Sequence, residues 1–315
     1  MKKIFLFLSM LAIVMAFVAC STDGDDVTVT NEPPSSSSAP ALKSNLEEAV
    51  TYRFHSGPFK EIAFTETRRA ILTKRVSIAS SKRRTESEKE EYIVGTYTYN
   101  GKNNTYTIKD EEGKDYCTVE ITNKATGKKV TAKIHMMNGD EIEDFEAEDT
   151  EIAEKVATDS ITTKLCREWK VVNTRLRHKD GVTAVKQFDN PTEAASLNDI
   201  LDYAKTVATI TEDLEAGTTI TSIEFTSDGK FCFFFENKNH YIGKWSWDNL
   251  SKGYINYEWN DDEMGNKFIN GGQAIFDVRT YKKVKYYTLT LAAHIEESDK
   301  NYNVELSFYL KEKTE

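Results

Sequence analysis

The chain has 315 residues, with 51 acidic against 41 basic side chains and a formal net charge of −10. Such a balance argues against general nucleic-acid binding, which needs a basic surface to neutralise phosphates, so no nucleic-acid partner is expected. Hydrophobic residues make up 39%, enough for a core, and only one apolar run approaches the roughly 20 residues that a membrane helix requires.

That run stands at the start. Lys2 and Lys3 precede the apolar stretch Ile4 to Val18, and Ala19 then Cys20 follow. A basic flank, a short apolar stretch and a small residue before a cut have the form of a secretory signal, here residues 1–19. The ending Phe17-Val18-Ala19-Cys20 resembles a bacterial lipobox, with Phe17 where Leu is usual. The resemblance implies that Cys20 becomes the lipidated, palmitate-bearing first residue of the mature chain. The cluster Ser21-Thr22-Asp23-Gly24-Asp25-Asp26 behind it resembles the surface-export signal of gram-negative lipoproteins; the plainer reading is a solvated acidic tether. It is not a calcium loop, because Pro34 stands where the loop needs its bidentate Glu. Val27 to Ala41, with Pro33-Pro34 and Ser35 through Ser38, has linker composition, so residues 20–44 are expected to form a disordered tether. Together these features imply a protein in the outer membrane, lipid-anchored rather than spanning, and facing the cell exterior.

Residues 45–157 read as a β-rich domain. Ile62-Ala63-Phe64-Thr65, Ile71-Leu72, YIVGTYTYN (92–100), Tyr106-Thr107-Ile108, Cys117 to Ile121 and Val130 to Ile134 read as strands, with turn signals at Lys124-Ala125-Thr126-Gly127 and Asn138-Gly139. Glu141 to Val156 places Ile142, Phe145, Ile152 and Val156 at helical spacing and is predicted to be a helical connector. Residues 60–84 are strongly basic and residues 140–154 strongly acidic. Both blocks read as solvated surface; the competing readings are a basic patch for an acidic glycan or phosphate and a divalent-cation site.

Residues 158–315 form the second domain. Asp159-Ser160-Ile161 at the junction resembles the short O-glycosylation signal of exported bacterial proteins, which makes Ser160 the candidate acceptor. Asn190-Pro191-Thr192-Glu193 has a capping residue, Pro at the first helical position and Glu at the third, and Leu197, Ile200, Leu201, Ala204 and Val207 recur at helical spacing. Strands are predicted at Ile223 to Phe225, Phe231 to Phe235, YIGKWSWDN (241–249), Tyr254 to Tyr257, Ala274 to Val278, Tyr286 to Leu291 and Val304 to Leu310. Ser227-Asp228-Gly229-Lys230 is a tight hairpin signal. The two halves offer these parts in the same order, which suggests a tandem repeat; the competing reading is chance likeness among Tyr- and Thr-rich strands.

Leu165-Cys166-Arg167-Glu168-Trp169, continued by Lys170-Val171-Val172, resembles the Leu-x-Gly-x-Trp opening strand of lipocalin-like domains in bacterial lipoproteins, with Arg167 where Gly is usual. Ile223 to Phe235 resembles their strand, Asp-Gly turn, strand element, and Gly243-Lys244-Trp245 the Gly-x-Trp strand that follows. The resemblance covers residues 160–312 and implies a small up-and-down barrel. The expected fold is therefore mainly β: two antiparallel meander or barrel-like domains, lipocalin-like in the second half, with one or two short helices.

Trp245 and Trp247 stand two apart and share one strand face. Core is the default reading for them. With Tyr257 and Trp259 they become candidate ligand contacts if the barrel holds a small molecule instead of being filled by side chains. Chemistry-bearing patterns are missing: no Gly-x-Ser-x-Gly elbow or phosphate loop occurs, and His55, His135, His178, His240 and His294 lack metal-ligand spacing. Asp248, Glu258, Asp261, Asp262 and Glu263 could supply a carboxylate pair, but in so acidic a chain this is not evidence. Cys117, Cys166 and Cys232 are odd in number, so at least one thiol is unpaired, and they read as reduced core residues. Neither metal, cofactor nor catalysis is expected. The function expected is non-catalytic binding of a small apolar ligand or glycan by a surface-anchored lipoprotein. The alternatives are a structural or interaction subunit with an outer-membrane protein partner and, third, an extracellular hydrolase.

Overall fold

Eight strands of the first half close on themselves. They are β1 (Val50–Arg53), β2 (Phe59–Phe64), β3 (Arg69–Lys74), β4 (Tyr92–Asn100), β5 (Thr105–Lys109), β6 (Asp115–Thr122), β7 (Lys129–Asn138) and β8 (Glu141–Ile152). Each pairs antiparallel with the next, and β8 returns to β1 through Tyr52 and Ile152. The computed structural model describes residues 32–42, 49–75, 91–122, 129–138, 141–155, 159–180, 183–189, 220–260, 272–281, 283–297 and 300–313. The helix expected from Asn190 to Val207 lies outside the described residues.

A short helix, α1 (Ser160–Leu165), leads into the second barrel: β9 (Glu168–Asp180), β10 (Thr183–Asp189), β11 (Ile220–Phe225), β12 (Lys230–Phe235), β13 (His240–Asn249), β14 (Tyr254–Trp259), β15 (Gly272–Tyr281), β16 (Val284–Glu297) and β17 (Lys300–Glu312). β9 pairs with β11 on one edge and β17 on the other, which closes eight strands; β10 adds to β9 beyond the reach of β11. The expected mainly-β architecture of two antiparallel barrels is what forms. Among the described residues no helix is long and apolar enough to cross a membrane.

One predicted element is corrected. Glu141 to Ile152 is strand β8, not a helical connector. Ala147 and Thr150 are buried while Asp144, Glu146 and Glu148 are exposed. A bulge opposite Val130 and Ala132, with Asp149 at φ 55°, inserts an extra residue. This slip puts Phe145 and Ile152, seven apart, on the same core-facing side, a spacing that a helix also gives.

The halves match bond for bond around the β2–β3 and β11–β12 hairpins. In barrel 1, Thr65 N donates to Arg69 O at 2.9 Å and Tyr97 N to Arg68 O at 2.8 Å; in barrel 2, Thr226 N donates to Lys230 O and Trp245 N to Gly229 O, both at 2.8 Å. The ring of Tyr97 donates to Thr65 O at 2.8 Å and that of Trp245 to Thr226 O at 3.2 Å. Arg68 takes φ 62° where its counterpart Gly229 takes φ 90°.

Both interiors are crossed by aromatic rings. In barrel 1, Phe64 of β2 stacks on Tyr106 of β5 at 3.8 Å between centroids. In barrel 2, Phe233 of β12 meets Phe308 of β17 edge-on at 5.5 Å, and Phe276 stacks on Tyr287 at 5.4 Å. α1 packs Leu165 into this second core and receives Trp169 Nε1 on Leu165 O at 3.0 Å.

Residues 32–42, expected within the tether, lie against barrel 2 as a strap. Glu32 bridges to Val278, on the part of β15 that β14 leaves unpaired. Lys164 Nζ and Tyr287 Oη donate to the Pro34 and Pro40 carbonyls, each at 3.2 Å, while Ala39 and Leu42 pack on the core. The strap thus covers an open sheet edge.

Candidate functional site

The outer faces of β2–β4 and β12–β13 meet. Ala63, Ile71 and Val94 pack against Cys232, Phe234 and Ile242 in a third apolar cluster. Here the sequence had a signal. Phe231 to Phe235 is an unbroken apolar run, because one face fills the barrel and the other fills this seam.

Charged side chains ring the apolar patch. Arg69 lies just after the β2–β3 turn and donates to Glu168 across the seam, Nη2 to Oε1 at 2.9 Å and Nε to Oε2 at 3.2 Å. Its Nε also stands 3.6 Å from Oε2 of Glu224, and its guanidinium lies 3.9 Å above the Phe234 ring. Thr67 donates to Glu224 Oε1 at 2.6 Å. Glu168 further accepts from Ser222 at 2.5 Å and Lys313 at 2.8 Å. Lys230 occupies in barrel 2 the place that Arg69 has in barrel 1. It reaches the other way, to Glu61 of β2, and also binds Asp228 at its own turn. Arg53 closes this group with Nε on Glu61 Oε2 at 2.8 Å. Each barrel thus offers its matching hairpin cation to carboxylates of the other, although the carboxylates themselves stand at non-matching positions.

The two central carboxylates are split. Burial, then the neighbouring Glu168 charge, push Glu224 up to about 7. Burial also works against Glu168, but the Arg69 fork, Lys313 and Ser222 hold it below the ordinary Glu range. Carboxylates driven apart in this way can divide acid and base roles. Here both are closed off from solvent, at 2% and 0% exposure. What the arrangement does in this state is hold two barrels in one orientation.

The predicted ligand contacts lie elsewhere, inside barrel 2. Trp245, Tyr257 and Trp259 are buried in its core, and Trp247 is half-buried at the edge, T-shaped to Trp245 at 5.5 Å. Trp247 Nε1 donates to Thr162 Oγ1 of α1 at 2.8 Å. Lys244, Ser246 and Asp248 alternate outward and are exposed. The Tyr257 hydroxyl is buried and has no hydrogen-bond partner among the described residues, and the Tyr257 ring stands 6.0 and 6.2 Å from those of Phe231 and Trp259 between centroids. Ser160 is exposed at the start of α1, where Asp159 accepts from Ile161 N at 2.8 Å and Thr162 N at 2.9 Å. The local motif therefore also serves as a helix cap. Cys20 and Asp261 to Glu263 lie outside the described residues. Among the described residues Cys117, Cys166 and Cys232 are buried and form no disulfide. His240, read as a solvated loop residue, is half-buried on β13 with Nδ1 3.0 Å from Glu111 Oε1. Among the described residues no cluster of His, Cys, Asp or Glu is placed to hold a metal.

Sequence reasoning missed the seam carboxylates. Glu224 sits between Ile223 and Phe225, and an outward position on such a strand is expected to face water. Only the apolar outward neighbours Cys232 and Ile242 signal otherwise. No protein-family model matches the chain, and no curated protein matches it.

Proposed function

We propose that the chain is a non-catalytic lipoprotein, anchored through Cys20 at the cell surface, that works as an interaction subunit and binds a protein partner on its outer surface. The observation that carries this reading is the solidity of the body. Rings bridge both interiors, and a buried apolar and ionic seam fixes the barrels to each other. Barrels whose interiors are crossed by packed rings suit the presentation of surfaces more than the storage of a small molecule. The barrel with its preceding helix supports the lipocalin-like resemblance of residues 160–312. The matched hairpins support duplication of one unit, and the exposure of Ser160 supports its reading as a glycan acceptor. Crosslinking in the native outer membrane tests the main reading: a defined partner band is expected, and a protein that crosslinks to nothing overturns it.

One observation favours a second reading. The unpartnered Tyr257 hydroxyl would suit a small, largely apolar ligand with one polar group, held beside Trp245 and Trp259. A tryptophan-fluorescence and thermal-shift screen with lipids, haem and oligosaccharides tests it. Binding that disappears in Tyr257→Phe supports this reading, and no shift with any of them removes it.

A further inference from the structure

We propose that the tip of the β15–β16 hairpin is a contact surface for an anionic lipid bilayer. Its sequence is Tyr281-Lys282-Lys283-Val284-Lys285-Tyr286, a knot of lysines in an acidic chain, of which Lys282 lies outside the described residues. Val284 is 47% exposed, the one exposed large apolar side chain among the described residues. Lys283 beside it is exposed, at the turn, with φ 67°. Tyr281 and Tyr286 both lean on Tyr309, at 5.3 and 5.9 Å between centroids, and Lys311 Nζ stands 5.6 Å from the Tyr286 ring. Lysines, tyrosines and one exposed aliphatic are what a bilayer interface selects. Ammonium groups meet lipid phosphates, phenols lie at headgroup level, and the apolar side chain enters the acyl boundary.

The path of the chain adds an independent argument. Glu32, the first described residue of the strap, bridges to Val278 on β15 and accepts from Lys285 Nζ at 2.9 and 3.0 Å. The chain therefore reaches the folded body beside this same hairpin. Glu32 is 12 positions after Cys20, so the chain holds the two within about 40 Å of each other, its fully extended reach. An anchor at Cys20 delivers the hairpin tip and barrel 2 to the bilayer, although barrel 1 follows the anchor in sequence. The inference rests on the anchored reading of Cys20.

The test uses the full lipidated protein in phosphatidylcholine vesicles containing phosphatidylglycerol. An environment-sensitive dye is placed on Val284→Cys or, for comparison, on Lys102→Cys in the exposed β4–β5 turn; the body's own thiols are buried. Shielding from an aqueous quencher is expected at position 284 and not at 102. Charge reversal by Lys283→Glu should reduce the membrane-contacting fraction about fivefold or more. Added salt or pure phosphatidylcholine should weaken contact as well. Mass spectrometry of Cys20 separates the two readings. An unacylated Cys20 overturns the anchor and this inference with it. An acylated Cys20 with equal quenching at both positions, or shielding indifferent to lipid charge, overturns the hairpin contact alone.

Discussion

Arg69 of barrel 1 grips Glu168 of barrel 2 through two parallel hydrogen bonds, at 2.9 and 3.2 Å. A guanidinium fork on a carboxylate is among the strongest polar contacts that a protein makes. It also stands over Phe234 and next to Glu224, so one side chain closes three contacts of the seam. Arg69→Ala would leave Glu224 buried beside Glu168 without its cation. Loss of one partner from a buried pair costs about 3–5 kcal/mol. A fall of that size in urea-denaturation stability is expected. Arg69→Lys should recover only part of it, since an ammonium cannot reproduce the fork. A loss for Arg69→Ala below about 1 kcal/mol, the worth of an exposed pair, would show that the seam is electrostatically idle.

The same cluster sets a pH dependence. Glu224 is raised in the folded state from an ordinary 4.5 to about 7, by burial first and Glu168 second. Its favourable contribution is therefore full at low pH and is lost as pH rises through about 7. Glu66, pushed up to about 8 by burial and then by Glu224, acts with the same sign. Glu168 is lowered, so its contribution is present above its ordinary value and lost only in more acidic solution. Between pH 5 and 8 the folded state should lose stability as pH rises. Urea midpoints across that range should fall for the native chain and fall less steeply for Glu224→Gln. Parallel slopes for the two proteins would exclude Glu224 as the titrating group.

Much of the fold was legible because strands facing water on one side announce themselves by alternation. YIGKWSWDN reads this way and folds this way: Trp245 is buried, while Lys244, Ser246 and Asp248 are exposed. Two kinds of feature were not legible. The β8 bulge at Asp149 breaks the alternation of that strand and puts Phe145 and Ile152, seven apart, on one side, as a helix would. The seam is a tertiary contact. Nothing in Arg69 or Glu224 taken singly shows that a second barrel covers them. The strap was hidden for a related reason: a Pro- and Ser-rich segment has linker composition whether or not it finds a surface. Its anchorage comes from partners far along the chain, Val278, Lys285 and Tyr287.

Gly95 and Gly243 hold matching places in β4 and β13. A Cβ on Gly95 would fall 2.1 Å from the Lys109 carbonyl oxygen. On Gly243 it would fall 2.3 Å from the Phe231 ring and 2.5 Å from the Glu258 carbonyl oxygen. Backbone oxygens cannot yield as flexible side chains do. Gly95→Ala and Gly243→Ala are each expected to destabilise by about 1–3 kcal/mol, the usual cost of overpacking. The opposite result, a gain of the size that Ala normally brings to a strand interior, would mean that the close approach is not required. Similar losses in both variants would also support the reading that the barrels share one design.

The hydroxyls of Tyr97 and Tyr257 make the sharpest comparison within the cores. Tyr97 donates to Thr65 O at 2.8 Å in a buried setting. Tyr97→Phe removes that bond and should cost about 1 kcal/mol, since Thr65 O keeps the Arg68 amide at 3.2 Å. Tyr257 is buried too, yet among the described residues its hydroxyl has no partner. A buried, unpaired hydroxyl costs free energy, so its removal should be neutral or stabilising. Thermal melts of the two Phe variants, made on ligand-free protein, should therefore move in opposite directions or leave Tyr257→Phe unchanged. A loss of about 1 kcal/mol or more in Tyr257→Phe would mean that the phenol is satisfied in solution. The same melts repeated on protein isolated without delipidation locate the source. A deficit confined to that preparation would mark a co-purified ligand on Tyr257 and raise the small-molecule reading above the interaction-subunit one. A deficit in both preparations would mark a bound water, and a filled barrel.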